Sequence, residues 1–227
     1  MTRLAQTALV GGNEFRRDCE AMDRALVEQA GGPGIPVAIL PTAAAHENPY
    51  RAGENGVRHF RRLGAAAEKL MIVDAATAND PRLTTQLERF RLIYFTGGDP
   101  AYLLETLRGS RAWEVVLAQH QRGALLAGSS AGAMVLGGQT WRFDAWTPGL
   151  GLIPNVAVIP HHATLATRWN AAHRAASLPA GVTLVGIDEA TALLLPEGRV
   201  LGEGNVTVYG GEGVRVYGGG DSAQVSL

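Results

Sequence analysis

The chain has 227 residues, 46% of them hydrophobic, with a formal net charge of −1. That length suits a single large domain over 1–227 with a sizeable core, and the balanced charge argues against a nucleic-acid or polyanion binder. The one cysteine, Cys19, cannot close an internal disulfide, no apolar run reaches the ~18 residues of a membrane span, and no signal-peptide pattern opens the chain. A cytoplasmic protein is expected.

In chain order, Gln6-Thr7-Ala8-Leu9-Val10 reads as a first strand ending at Gly11-Gly12-Asn13. A helix is expected next, with Asn13 as its N-cap, because Phe15, Cys19, Met22 and Leu26 recur on one helical face. Cys19 reads there as a core residue rather than a nucleophile. Pro36-Val37-Ala38-Ile39-Leu40 is a second strand, and Asn48-Pro49 opens a helix that buries Tyr50, Val57, Phe60 and Leu63. Arg58, Arg61 and Arg62 read as its solvated surface. Leu70-Met71-Ile72-Val73 is expected as the third strand, and a helix runs from Asp80-Pro81 to about Arg89. Leu92-Ile93-Tyr94-Phe95 is the fourth strand, breaking at Thr96-Gly97-Gly98-Asp99-Pro100. Two helical patterns follow, the second from Ser110, and then a buried strand at Leu125-Leu126-Ala127. This alternation is the signature of a mostly parallel sheet with helices on both faces.

After Ser130 the pattern loosens. Positions 141–151 read as a loop or short hairpin, Val156-Ala157-Val158-Ile159 as a strand, and 165–176 as one helix carrying Arg168 and Arg174. The remainder is β-rich. Two near-copies, Val206-Thr207-Val208-Tyr209-Gly210-Gly211 and Val214-Arg215-Val216-Tyr217-Gly218-Gly219, alternate about a glycine turn and predict an edge hairpin within 203–220. The last residues read as a frayed tail.

Chemistry concentrates at Gly128-Ser129-Ser130-Ala131-Gly132, which fits G-x-S-x-G with Ser130 at its centre. A nucleophile elbow needs this composition, since small flanking residues let strand and helix approach and the helix start leaves N–H groups free for an oxyanion. Ser129 occupies the x position and is the wrong serine for the role. A serine needs a base, and histidine is the usual one. His59 and His120 fall in helical patterns and read as surface or satisfied core residues, whereas His161 and His162 follow a strand. Neighbouring strand residues point to opposite faces, so only one of the pair reaches Ser130. No His, Cys or carboxylate cluster at metal spacing accompanies them, and neither metal nor cofactor is expected. The loops carrying Gly11-Gly12, Gly97-Gly98, Ser130, His161 and Asp188-Glu189 all follow strands, which in an open parallel sheet places them on the ligand-binding edge.

The combination of Phe95-Thr96-Gly97-Gly98-Asp99, Gly128-Ser129-Ser130-Ala131-Gly132-Ala133, Pro160-His161 and Gly186-Ile187-Asp188-Glu189 resembles the serine peptidases that include dipeptidase E (aspartyl dipeptidase) and cyanophycinase. The resemblance runs from Val10-Gly11-Gly12 to Ala190-Thr191-Ala192. It implies a flavodoxin-like fold, similar to class I glutamine amidotransferases with serine in place of cysteine. It also implies a homodimer and a cofactor-free hydrolase acting on small peptides, Asp-containing dipeptides among them. Ile159-Pro160-His161 stands closer to the Asn-Pro-His of dipeptidase E than to the Asp-Gln-His of cyanophycinases.

Carried over by motif, Ser130 is the nucleophile, His161 the general base, and Gly98 and Ala131 the oxyanion-hole donors. Asp99, Arg168 and Arg174 are the candidate substrate-binding residues, an Arg fork suiting a carboxylate. For the third triad member Asp144 is favoured, because the family places its acid between serine and histidine and Asp144 is the sole acid from 131 to 160. Glu189 is the alternative. From other classes, a non-catalytic small-molecule binder or scaffold with a vestigial elbow is the rival reading. A glutamine amidotransferase subunit would lack its cysteine at the elbow.

Overall fold

The computed structural model describes residues 5–210 and 213–226. The first half builds the expected alternation. β1 (Thr7–Val10) leads through a loop to α1 (Glu20–Ala30), then β2 (Pro36–Leu40), α2 (Pro49–Arg62) and β3 (Ala66–Lys69). Short helices α3 (Ala75–Ala78) and α4 (Pro81–Thr84) precede β4 (Leu92–Phe95), α5 (Pro100–Leu107), α6 (Arg111–Gln121), β5 (Leu125–Ser129) and α7 (Ala131–Leu136). The second half runs β6 (Gly137–Arg142), β7 (Ala145–Pro148), β8 (Ile153–Ile159), α8 (His162–Leu165), α9 (Ala171–Ala176) and β9 (Thr183–Ile187). It closes with β10 (Thr191–Leu195), β11 (Arg199–Gly202), β12 (Val206–Gly210) and β13 (Gly213–Tyr217).

Among the described residues these strands form two sheets, ordered β11-β10-β1-β5-β4-β2-β3 and β13-β12-β9-β8-β6-β7. In the first, β1, β5, β4, β2 and β3 run parallel, while β10 and β11 extend it antiparallel. Side chains alternate across it. Val37, Ile39, Leu92 and Tyr94 pack with Leu26 and Val27 of α1 and Val57 and Phe60 of α2. Ala38, Leu40, Ile93 and Phe95 pack on the other face with Leu103, Leu107, Trp113 and Val116 of α5 and α6. The period of two along each strand therefore gives two separate apolar layers. Helix α7 joins the sheets: it packs on β1 and β5 of one and on β6 and β8 of the other. Val156 and Val158 of β8 and Val185 and Ile187 of β9 belong to the same apolar cluster as α5 and α6.

Several local readings hold because their cause is local. Asn48 Oδ1 caps α2 by accepting from the Arg51 N–H at 2.9 Å, with Pro49 in the first turn. Ser110 caps α6 through the Trp113 N–H. The hairpin of β12 and β13 lies at a sheet edge as expected, with its turn at 211–212 outside the described residues.

Other readings are corrected. The third strand is Ala66–Lys69, not 70–73. Charged Glu68 and Lys69 mark it as an edge strand, while Leu70 and Ile72 plug the core beyond the ladder. Asn13 caps nothing: it and Phe15 have positive φ, a 3₁₀ turn covers Arg17–Cys19, and α1 starts only at Glu20. Phe15 mimics the helical period because it packs from the loop against Phe60 and Tyr94. Tyr50 is exposed, with the Lys69 ammonium 3.8 Å from its ring centre. The helix expected from Asp80 to Arg89 is α4 followed by a 3₁₀ stretch, and that expected over 165–176 is split at Asn170, whose φ is 47°. The C-terminal residues are docked rather than frayed: the Ala223 N–H donates to Gly198 O at 2.7 Å and Ala223 is buried. The expected mostly parallel sheet with helices on both faces is present, and the β-rich second half builds a second sheet beside it, so the strand ends carrying chemistry meet across a junction.

The glycines flanking Ser129 and Ser130 carry the strand–helix contact. A Cβ on Gly128 would lie 2.5 Å from the Gly132 carbonyl carbon, so neither strand nor helix can yield without moving backbone. Gly128→Ala is expected to lower the unfolding free energy by about 1–3 kcal/mol in urea titrations, the usual cost of overpacking. Gly210→Ala, facing open space, serves as the near-neutral control.

Candidate active site

The site is assembled where five chain segments leave their strands, after β1, β4, β5, β8 and β9. Ser130 follows β5 with φ 48° and ψ −107°, a conformation that costs a non-glycine residue roughly 1–3 kcal/mol. It is held from both sides: its N–H donates to Val10 O at 2.9 Å, and its carbonyl accepts from the Met134 N–H at 3.0 Å. The strand–turn–helix read from G-x-S-x-G is thus present, with Ser130 in a strained turn immediately before α7.

His161 follows β8 in the left-handed region, with φ 50° and ψ 39°. Its N–H donates to Gly11 O at 2.7 Å. A Cβ on Gly12 would run into the imidazole, so the ring rests on bare backbone. Its Nε2 lies 3.2 Å from Ser130 Oγ, and its Nδ1 lies 3.3 Å from Glu189 Oε1. His162 turns away. Its Nε2 meets the Tyr209 hydroxyl at 2.8 Å, and its ring lies against Gly186. Burial lowers its pKa, opposed by Asp188. The two rings diverge as expected, but the cause is the left-handed turn at His161 and the start of α8, not strand alternation.

Glu189 sits in the link between β9 of one sheet and β10 of the other. The Thr164 hydroxyl donates to its Oε1 at 2.8 Å. Burial alone would raise its pKa, yet its own backbone N–H, Thr164 and His161 together bring it below the ordinary value. Asp144, favoured for this place from the sequence, is elsewhere. Phe143 and Asp144, both at positive φ, form the exposed two-residue turn of the β6–β7 hairpin, and the charge that Asp144 influences is Arg174.

Gly98 and Ala131 stand at the end of the β4 loop and at the first position of α7. Among the described residues, neither backbone N–H donates to a protein acceptor. Gly98 has φ 137° and packs its Cα against the Ala43 carbonyl, leaving no room for a side chain. Asp99, expected to bind substrate, is the N-cap of α5: its Oδ1 accepts from the Ala101 and Tyr102 N–H groups. Arg174 is likewise engaged, its Nε donating to Trp169 O at 2.7 Å and its guanidinium stacked 3.7 Å from the Trp141 ring centre. Arg168 is exposed, with no polar partner among the described residues.

The remaining candidates are structural. His59 meets Asp23 at 2.8 Å in a fully buried pair, and His120 is tied to Ala124 O. Burial, with help from Asp23 and Asp18, pushes the Cys19 thiol up to about 12. Two residues that the sequence did not single out lie against the site. Glu14 accepts from the Gly97 N–H and from the Ser129 hydroxyl, both at 2.7 Å. Thr164 holds Glu189. Glu14 falls right after Gly11-Gly12-Asn13, so its place on a strand-end loop was the signal available. Among the described residues no group of three or more His, Cys, Asp or Glu is arranged to hold a metal, and no helix is long and apolar enough to cross a membrane.

Fold and geometry together define an α/β protein with a serine in a strained strand–helix turn facing a histidine at the junction of two sheets. The chain belongs to peptidase family S51, whose model matches residues 8–201. It is similar to the crystal structure of a peptidase from an acI-B1 actinobacterium, with 32% identity, a TM-score of 0.87, and 99% and 98% of the two chains covered. A putative peptidase E protein from Listeria monocytogenes EGD-e shares the fold at 19% identity and a TM-score of 0.62, covering 94% and 98%. A curated relative from Listeria monocytogenes, described as an uncharacterized peptidase, is 34% identical over 102 residues. That match spans 45% of this chain and 48% of the relative, about half its length.

The lowered pKa of Glu189 has a definite sign in stability. Its folded value lies below that of an unfolded glutamate, so its contribution is complete above the unfolded value and disappears as pH falls through the folded one. In urea unfolding over a pH series, the stability advantage of the wild type over Glu189→Gln should be greatest near neutrality and shrink in acid. An advantage that does not vary with pH would sink this assignment.

Proposed function

We propose that the chain is a serine peptidase that hydrolyses amide bonds in small peptides, with Ser130 as nucleophile, His161 as general base and Glu189 as the acid that orients it. The observation that carries this reading is Ser130 on a strained elbow with Oγ 3.2 Å from His161 Nε2. Membership of peptidase family S51 supports the reaction class.

The steps follow from the geometry. His161, with its proton on Nδ1 towards Glu189, takes the Ser130 proton on Nε2 as Oγ attacks the scissile carbonyl. The carbonyl oxygen gains negative charge and is received by the Gly98 and Ala131 N–H groups, which have no other acceptor among the described residues. The imidazolium, stabilised by the Glu189 carboxylate, gives its Nε2 proton to the leaving amine. Water then enters, loses a proton to His161, and releases the acyl group from Ser130 by the reverse sequence. Dipeptides with an acidic side chain are the proposed substrate class, and of the two arginines Arg168 is the one free to meet a substrate carboxylate.

The experiment is a dipeptide library screen combined with fluorophosphonate labelling. Wild type should label at Ser130 and cleave. Ser130→Ala should abolish labelling and cut kcat by about 10⁴–10⁶ with the fold intact, whereas Ser129→Ala should do far less. An unlabelled, inert wild type would establish the rival, a binding protein with a vestigial elbow.

Two comparisons refine the assignment. Glu189→Gln should lower kcat by about 10²–10⁴ with little change in KM, and Asp144→Asn should be nearly silent. The reverse pattern would return the acid to Asp144. Arg168→Ala should raise KM for the acidic dipeptides that are cleaved, and an unchanged KM for all of them would remove Arg168 from the substrate site.

A further inference from the structure

Glu14 is positioned with care that the triad alone does not explain. It is flanked by Asn13 at φ 61° and Phe15 at φ 68°, and a positive φ is a real outlier for a phenylalanine. Such strain persists only where the surroundings over-determine it. Here Phe15 is locked among His59, Phe60 and Tyr94, and the Cys19 thiol donates to Asn13 O at 3.1 Å. With its pKa pushed up to about 12, Cys19 keeps the proton that makes this bond. The effect of the strained loop is to aim the Glu14 side chain at the base of the site.

The Glu14 carboxylate spans two segments there. Oε1 takes the Gly97 N–H at 2.7 Å, on the loop after β4, and Oε2 takes the Ser129 hydroxyl at 2.7 Å, at the end of β5. Both are short, charge-assisted bonds. A methyl group on Gly97 would touch Glu14 Oε1 at 2.9 Å and Ser130 Cβ at 3.3 Å, so the carboxylate and the nucleophile border one small space. Among the described residues no Lys, Arg or His forms an ion pair with Glu14. Its charge is met by these two donors.

We propose that Glu14 is a positioning residue that clamps the Gly97–Gly98 loop to the Ser129–Ser130 elbow and so fixes the spacing of the two oxyanion donors. The catalytic half of this statement rests on the serine peptidase reading above; the clamp itself does not. One peptide separates Gly97 from Gly98, and one separates Ser129 from Ser130 and two from Ala131. Tying Gly97 to Ser129 therefore fixes the Gly98 N–H relative to the Ala131 N–H. Oxyanion stabilisation depends on donors placed before charge develops, so loosening the pair should weaken transition-state binding and leave ground-state binding largely intact.

The test uses Glu14→Ala, Glu14→Gln and Ser129→Ala in the full-length protein, with kcat and KM on a cleaved dipeptide. Hydrogen exchange across 96–99 is measured in parallel. Glu14→Ala should lower kcat by about 10²-fold at near-constant KM, comparable to losing one oxyanion donor. It should also speed exchange at Gly97 and Gly98. Glu14→Gln should recover most of the activity, because its carbonyl can accept from Gly97 and its amide can donate to Ser129 Oγ. Ser129→Ala should have a small effect that vanishes in the Glu14→Ala background, as a shared interaction requires.

Unchanged kcat in Glu14→Ala overturns the proposal. So does a loss in both Glu14 variants that appears in KM alone, which would make Glu14 a substrate contact. If Glu14→Ala does not fold, Glu14→Gln and Ser129→Ala decide it: wild-type exchange across 96–99 in Ser129→Ala, with full inactivity in Glu14→Gln, rejects the clamp. If wild type neither labels nor cleaves, the peptidase reading fails. Exchange then still decides the clamp, and unaltered protection in Glu14→Ala rejects it.

Discussion

The close approach of the Gly11–Gly12 backbone to His161 is the contact on which the rest of the site depends. Gly11 O accepts the His161 N–H, and the imidazole lies where a Gly12 side chain would be. The same two residues reach the third segment: the Gly11 N–H donates to Thr191 O, and Gly12 O accepts from the Ala190 N–H. One strand-end turn thus holds the histidine on β8, the link bearing Glu189, and, two residues later, the Gly97 loop and Ser129. Three of these contacts are backbone hydrogen bonds, and in the fourth the imidazole lies on bare backbone. They need glycine because only bare backbone can lie between a ring and two neighbouring chains.

This hub explains why the molecule has two sheets. A serine at the end of β5 and a histidine at the end of β8 belong to separate ladders. They meet because α7 leaves Ser130, crosses between the sheets, and passes directly into β6. The small residues of α7 serve both ends of that path. Gly132 lies against Phe95 O and Gly128, while Ala133, Val135 and Leu136 sit in the apolar cluster shared with β8 and β9. Burying such side chains is worth about 1.5–3 kcal/mol each for the larger ones, enough to offset the roughly 1–3 kcal/mol of backbone strain at Ser130. The elbow is stable because the helix that follows it is the seam of the fold.

What could be read from the sequence divides along this line. Ser130, the caps at Asn48 and Ser110, the buried Cys19 and the C-terminal hairpin were legible because each follows from residues within one or two turns. The pairing of His161 with Ser130 was legible too, since strand ends collect at one edge. The carboxylate that lies beside His161 was not. Asp144 and Glu189 both stand at plausible offsets, and which of them comes near the ring depends on β9 and β10 lying in different sheets. A single parallel sheet, the natural inference from alternating elements, hides the crossing that carries Glu189 to the histidine. The third strand was misread for a related reason: Leu70 and Ile72 carry the apolar signal, but the ladder uses the more polar Ala66–Lys69 at the edge.

The arginines show how an isolated side chain misleads when its surroundings are aromatic. Arg174 looks in the sequence like a free guanidinium on a helix near the base. In the fold it is stacked on Trp141, 5.0 Å from the Trp169 ring centre, and bonded through Nε to Trp169 O. Its carbonyl accepts the Trp146 indole N–H at 3.0 Å. Burial lowers its pKa and Asp144 opposes that shift, which gives both residues a single account. The β6–β7 hairpin brings two tryptophans and Asp144 to α9, and Arg174 is the rivet. Removing Asp144 would take a screening charge from this rivet without touching His161, while removing the Arg174 side chain would lose its stacking on Trp141 and leave the Trp146 bond to the helix backbone in place. Residues chosen for catalysis or substrate binding by their position between serine and helix thus work as the fastening of the second sheet.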